Sequence, residues 1–190
     1  MQRPKKVHWE TALRVVHYLK GNPSQSILLC ADCDLKLNAF CDSNWASCPL
    51  MGYFVSLRNY RISWKTKKQQ TMSRSSTEAE YRSMTATVCE LKWLKGLLDF
   101  LDSAHIVPMR LFCDNQYALH IAANLVYHER TKHIEVDCHF ICDEIQNETI
   151  QMEHVRTFMQ LADIFKKVLG NDQFDFLLRK LGIRDIHAPT

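Results

Sequence analysis

Glycine is scarce in this chain, five among 190 residues, and no glycine-rich stretch could cradle a phosphate in the manner of the common nucleotide-binding loops. Long apolar runs are missing as well. No stretch of 18 apolar residues occurs, and residues 1–6 are short and basic, carry Pro4 and lack the apolar core of a secretory signal. The expectation is a chain that neither crosses a membrane nor is secreted. Zinc-ligand spacing is also absent. Cys30 and Cys33 form a C-x-x-C with no second pair at ribbon distance, and His133 follows His128-Glu129 one residue too late for a zinc-protease helix. The eight cysteines lie in segments that read as helices and strands, which suits a reducing compartment. Net charge is weak, at +3. Acid is locally missing, however, from residues 58–74, which hold Arg58, Arg61, Lys65, Lys67, Lys68 and Arg74 with Tyr60 and Trp64 interleaved. Such a tract is either a solvated strand edge or a track for a phosphate backbone.

The most regular feature present is a helix expected from about Thr77 to Asp102. Met84, Val88, Leu91, Leu94, Leu98 and Leu101 recur at helical spacing and must face a core. Glu80 stands four residues before Met84, so it continues that stripe toward the packed side. Glu78 lies about 200° away around the helix and joins Arg82, Thr85 and Lys92 on a face expected to meet solvent. Helix capping accounts for either acid, since Ser75 with Glu78 and Thr77 with Glu80 both match a capping box. Capping does not require Glu80 to point inward, and an inward carboxylate needs a cation or hydrogen-bond donor to offset its desolvation.

The rest of the chain reads as one domain with an appendage. Trp9, Leu13, Val16 and Leu19 make a helical stripe within Val7–Lys20, ended by Gly21 and Pro23, and residues 21–26 read as a linker. Strands are expected at Leu35–Asp42, Met51–Leu57, Tyr60–Lys65, Met109–Asp114 and Thr149–Arg156, with a hairpin at Arg58-Asn59. Helices are expected at about Asn115–Asn124, Lys132–Asn147, Gln160–Leu169 and Asp172–Leu181. Three strands, a helix, then alternating strands and helices indicate an α/β fold, a mixed sheet with helices packed on it.

One short echo stands out. Phe40-Cys41-Asp42-Ser43 and Phe112-Cys113-Asp114-Asn115 each end a strand on an aspartate. A strand-end aspartate is commonly a turn former. Two of them beside the mouth of a helix carrying an inward glutamate mark the region where α/β folds place ligands.

Asp42, Glu80, Asp114 and Asp163 give the order Asp, Glu, Asp, Asp on strand, helix, strand and helix, which resembles ribonuclease H. More narrowly, the chain resembles the end of a Ty1/copia-type retrotransposon Pol polyprotein. The resemblance runs through His8-Trp9-Glu10, Arg14–Gly21, Asp42-Ser43-Asn44-Trp45-Ala46, Ser73–Tyr81, Cys113-Asp114-Asn115-Gln116, His128–Ile134 and Leu161-Ala162-Asp163-Ile164-Phe165, and covers nearly all of residues 4–183. It implies a ribonuclease H-like fold with a five-stranded mixed sheet, divided into a connection helix and linker (1–26), the ribonuclease H-like domain (27–170) and a C-terminal helix and tail (171–190).

The implied activity is endonucleolytic cutting of the RNA strand of an RNA–DNA hybrid. The implied cofactor is Mg²⁺, two ions per site, with Mn²⁺ as a substitute. Asp42 would bridge both ions, Glu80 and Asp114 would hold one, and Asp163 would help hold the other. Carboxylate oxygens suit Mg²⁺, and paired ions about 4 Å apart suit an in-line displacement. Asp137 is the rival to Asp163, which the motif favours. Lys65, Lys67, Lys68, Arg74, Ser75, Asn115 and Lys132 are the expected nucleic-acid contacts. Trp45 either packs under the site, the favoured use, or stacks on substrate. The implied partners are the hybrid and the reverse transcriptase part of the polyprotein, in a cytoplasmic virus-like particle or the nucleus. A catalytically inert remnant, or a nucleic-acid-binding module retaining the fold, is the alternative.

Two departures from the family pattern stand near the acids. Few residues separate Pro49-Leu50 from Gly52-Tyr53, which shortens the first hairpin. Phe165-Lys166-Lys167-Val168-Leu169 replaces a more usual Phe-Thr-Lys-Pro-Leu.

Overall fold

The computed structural model describes residues 3–27, 35–45, 50–58, 60–69, 73–103, 107–123 and 135–185. Cys30, Cys33 and Lys132 lie outside them.

Alternation in the strands decides how the sheet is covered. In β2 (Leu37–Ser43) the side chains of Leu37, Ala39 and Cys41 are fully buried, and in β5 (Met109–Cys113) so are those of Met109, Leu111 and Cys113. These residues face α2 (Ser76–Phe100), whose Tyr81, Met84, Val88 and Leu91 are fully buried against them. Apolar burial of this extent is the main stabilising term of such a layer. The expected stripe holds through Leu94, Leu98 packs partly buried against the same core, and Leu101 is exposed. The other face of the sheet carries Phe40, Phe54 and Phe112, with Phe40 stacked on Phe112 at 4.6 Å between ring centres.

β3 (Leu50–Leu57) and β4 (Tyr60–Lys68) complete an antiparallel meander with β2, and the chain reverses at Arg58, whose φ of 54° is left-handed. β5 and β6 (Ile150–His154) lie parallel to β2 on its other side. The five-stranded order is β4-β3-β2-β5-β6. α3 (Gln116–Ala123) and α4 (Glu135–Gln146) flank it, with Ile121 and Ile141 in the same core as α2.

Two expectations change. The segment 160–169 is not a continuous helix: it holds a single 3-10 turn, Leu161–Phe165, which follows another at Thr157–Met159. Its apolar spacing fits a helix, yet the bonds Asp163 N–H to Gln160 O and Lys166 N–H to Asp163 O close the tighter i+3 turn. The N-terminal region is also tied further in than a linker would be. α1 (Lys6–Gly21) buries none of its residues. β1 (Gln25–Ile27), however, pairs antiparallel with β7 (Ile183–Asp185), which follows α5 (Asn171–Lys180). The boundary expected after residue 26 therefore falls inside a strand. Among the described residues no helix is long and apolar enough to cross a membrane.

Candidate active site

Parallel pairing explains why the two strand-end aspartates meet. Phe40 is in register with Phe112, so two residues further along Asp42 and Asp114 emerge side by side at the ends of β2 and β5. The mouth of α2 is fastened to the same place. The Ser43 N–H donates to Glu80 Oε1 at 3.2 Å, and the Ser83 hydroxyl donates to the Asp42 backbone carbonyl at 3.2 Å. Asp42, Glu80 and Asp114 can each offer an oxygen with all three within 4.8 Å of one another. Asp42 and Glu80 are buried and Asp114 is half-buried. Three hard oxygens, two of them buried, are a donor set that fits a divalent cation such as Mg²⁺.

Asp163, also buried, reaches Asp42 with its side chain. Its position depends on Gln160, a fully buried residue that the sequence reading did not single out. Gln160 Nε2 donates to the Cys41 carbonyl at 2.9 Å, and its Oε1 accepts from Ala162 N–H at 3.3 Å. The turn carrying Asp163 is thereby pinned to the strand carrying Asp42.

Two lysines enter the cluster. Lys166, whose side chain is wholly buried, places Nζ against Asp42 Oδ2, 2.9 Å from Asn44 Oδ1 and 3.3 Å from Asp163 Oδ1. Lys167 Nζ lies 2.8 Å from Asp163 Oδ1 and 3.2 Å from Asp42 Oδ2. The only signal of this in the sequence was the lysine pair following Phe165. Nothing in its spacing announced that both side chains turn inward.

The protonation of the acids follows from these contacts. Burial pushes Asp42 up, but the hydrogen bond with Asp163 and the charges of Lys166 and Lys167 outweigh it and hold the carboxyl at about 2. Burial pushes Asp163 up to about 6, and the hydrogen bond to Asp42 adds to this against the pull of Lys167. Burial, with Cys113 and Asp42 nearby, raises Glu80 well above the usual carboxylate range. Burial and Asp42 raise Asp114.

An acid raised on folding costs stability as pH climbs from its unfolded value through its folded one, whereas a depressed acid loses its contribution as pH falls. Asp163 moves from 3.8 to about 6 and Asp42 from 3.8 to about 2. In EDTA the protein is therefore expected to be most stable near pH 4. It should lose stability between about 4 and 6 as Asp163 ionises, and below about 4 as Asp42 takes a proton. Thermal melts across that range check this, and a melting temperature that climbs steadily up to neutral pH contradicts it.

The expected nucleic-acid contacts divide. Lys65, Lys67 and Lys68 are exposed along the edge strand β4, Lys65 and Lys67 on one face and Lys68 on the other. Arg74 is exposed at the mouth of α2. Ser75 is the cap of α2, its hydroxyl accepting from Glu78 N–H at 3.1 Å, and Asn115 Oδ1 accepts from Ala118 N–H at 3.0 Å. Both side chains hold helix starts. Lys132 lies outside the described residues.

Glu78 is buried rather than solvent-facing. Its carboxylate takes the Arg74 N–H and the Arg82 guanidinium, each at 2.6 Å, because the chain entering α2 folds back over that face. Trp45 does not pack under the site. It is 54% exposed, and its indole N–H donates to the Ser73 carbonyl at 3.0 Å, which presents the ring beside the mouth of α2.

No protein-family model matches the chain. It is similar to the retrovirus-related Pol polyprotein from transposon RE2 of Arabidopsis thaliana, 40% identical over 188 residues, which are 96% of this chain and 13% of that protein. The corresponding polyprotein from transposon TNT 1-94 of Nicotiana tabacum is 30% identical over 96% of this chain and 14% of its own length. The chain thus spans only about one-seventh of these relatives. Among solved structures it is similar to the N-terminal ribonuclease H domain of a Mycobacterium tuberculosis protein fused to maltose-binding protein. The TM-score is 0.50 at 14% identity, covering 77% of this chain and 98% of that one. At that identity the likeness establishes a ribonuclease H-like fold.

Proposed function

Because the chain is homologous to one segment of the retrovirus-related Pol polyproteins of copia-like transposons and has a ribonuclease H-like fold, we propose that it cuts the RNA strand of RNA–DNA hybrids by metal-assisted hydrolysis. The observation that carries this reading is the convergence of Asp42, Glu80 and Asp114, three acids from separate elements, on a point where their oxygens lie within 4.8 Å. Carboxylates brought this close repel one another and take up protons unless a cation joins them. Asp42, Glu80 and Asp114 would hold Mg²⁺ or Mn²⁺. The bound ion supplies Lewis-acid stabilisation of the phosphate and a more acidic water.

Around that point the chain's own groups orient the substrate. The lysines of β4 and Arg74 lie exposed, able to follow a phosphate backbone, while Trp45 offers a ring on which a base or sugar can rest. Such contacts read A-like groove shape and 2′-hydroxyls rather than sequence. The exposed apolar stripe of α1, with Trp9, Leu13, Val16 and Leu19, is the surface we assign to the reverse transcriptase portion of a polyprotein. The setting is a virus-like particle in the cytoplasm, or the nucleus.

The entry of Lys166 and Lys167 into the acidic cluster favours a second reading, an inert remnant that binds nucleic acid without cutting it. A hybrid labelled on each strand in turn separates the two. Under the nuclease reading RNA is cut, DNA is untouched and EDTA stops the reaction. Salt-sensitive hybrid binding with no cutting, in Mg²⁺ or Mn²⁺, would establish the remnant instead.

A further inference from the structure

We infer that Lys166 stands where a second divalent ion would be held, so that this site takes one metal ion and an internal ammonium group in place of two ions. The inference rests on the metal-dependent nuclease reading. Lys166 Nζ lies between Asp42 Oδ2 and Asp163 Oδ1; Asp42 is shared with the Glu80 and Asp114 cluster, which Asp163 does not join. Those two oxygens are buried and make no well-formed hydrogen bond. They are held by opposite charge, as oxygens facing a cation of any kind are.

The lysine is built in rather than resting there. Its side chain is wholly buried, and Asn44 Oδ1 accepts from its amine at 2.9 Å. Gly52, in register with Asp42 across β2 and β3, leaves the room its stem needs. A Cβ on Gly52 would already lie 3.7 Å from Lys166 Cδ, 3.8 Å from Cγ and 3.3 Å from the Ala162 carbonyl oxygen.

Charge points the same way. Four carboxylates, Asp42, Glu80, Asp114 and Asp163, face two ammonium groups, Lys166 and Lys167. With every acid ionised, two negative charges are left, which a single divalent ion balances. A second ion would have to expel a buried lysine from its ion pairs and Asn44, leaving an unpaired buried charge. An ammonium group supplies charge and three donors. It offers no coordination position for a water molecule.

The test counts ions on the intact chain by Mn²⁺ titration, using calorimetry and the electron-spin signal of free Mn²⁺. Wild type is compared with Lys166→Met, which keeps the stem and removes the charge, and with Lys166→Gln, which keeps a donor for Asn44. The expected result is saturation at one ion per chain in wild type and two in a variant. The variants should also gain a larger rise in melting temperature on adding Mn²⁺. Two ions on wild type, or one on wild type and on every folded variant, would overturn the inference and leave the nuclease reading standing. No ion on any of them would overturn both. Should both variants fail to fold, the wild-type count alone decides: one ion upholds the inference and two ions refute it.

Discussion

Glu80→Gln is expected to lower metal-dependent RNA cutting by roughly 100-fold or more, in the range seen when a preorganised electrostatic contact is removed, without destabilising the metal-free protein. The two effects separate because of where Glu80 sits. It is buried, with Cys113, Asp42 and Asp114 around it, and its carboxyl is held well above the usual range. In the absence of metal its environment therefore favours the protonated form, whose shape and polarity glutamine copies. The amide oxygen can still accept the Ser43 N–H that now reaches Oε1. With metal present, the glutamine lacks the charge that Asp42, Glu80 and Asp114 together bring to the cation. Melts in EDTA beside cleavage rates in Mg²⁺ check the prediction. Lost stability equal to the lost activity would mean that Glu80 is a structural residue only.

Gln160→Ala is expected to cost about 1–3 kcal/mol of stability through the unpaired Cys41 carbonyl alone, with a further penalty for the cavity. It should weaken cutting as well. Gln160 is fully buried and makes one bond to β2 and one to the turn that presents Asp163. Without it, Asp163 and the two lysines behind it lose their fixed distance to Asp42. Urea unfolding measures the first effect, and the cleavage rate under conditions where the variant is folded measures the second. A variant as stable as wild type would show that this turn is held by other contacts.

How far the sequence reaches differs from residue to residue. The pairing of Asp42 with Asp114 could be read from the repeated Phe-Cys-Asp at two strand ends, since parallel neighbours bring equivalent positions side by side. Glu80 could be read from helical phase, because its place in the stripe depends only on 3.6-residue geometry. The strands of the large sheet and α2 followed from the same two periods. Four features did not. Glu78 lay on the face that helical phase assigns to solvent, but chain entering the helix covers that face, and a helical wheel holds no information about what precedes it. Residues 160–169 have helical apolar spacing, yet the side chain of Gln160 caps a tight turn there, which only tertiary contact with β2 sets up. Lys166 and Lys167 stood out only as a departure from the usual Phe-Thr-Lys-Pro-Leu, and their entry depends on Asp42 and Asn44, more than a hundred residues away in sequence. β1 and β7, at three residues each, are too short for any period to show.

The most direct test is cleavage of an RNA–DNA hybrid by the purified chain in Mg²⁺, with Asp114→Asn alongside. The account predicts RNA fragments from wild type, an intact DNA strand, and little or no cutting by the variant. Cutting that survives Asp114→Asn would contradict the assignment of the Asp42, Glu80 and Asp114 cluster as the catalytic site. Hybrid binding without cutting by wild type, in Mg²⁺ or Mn²⁺, would contradict the nuclease itself.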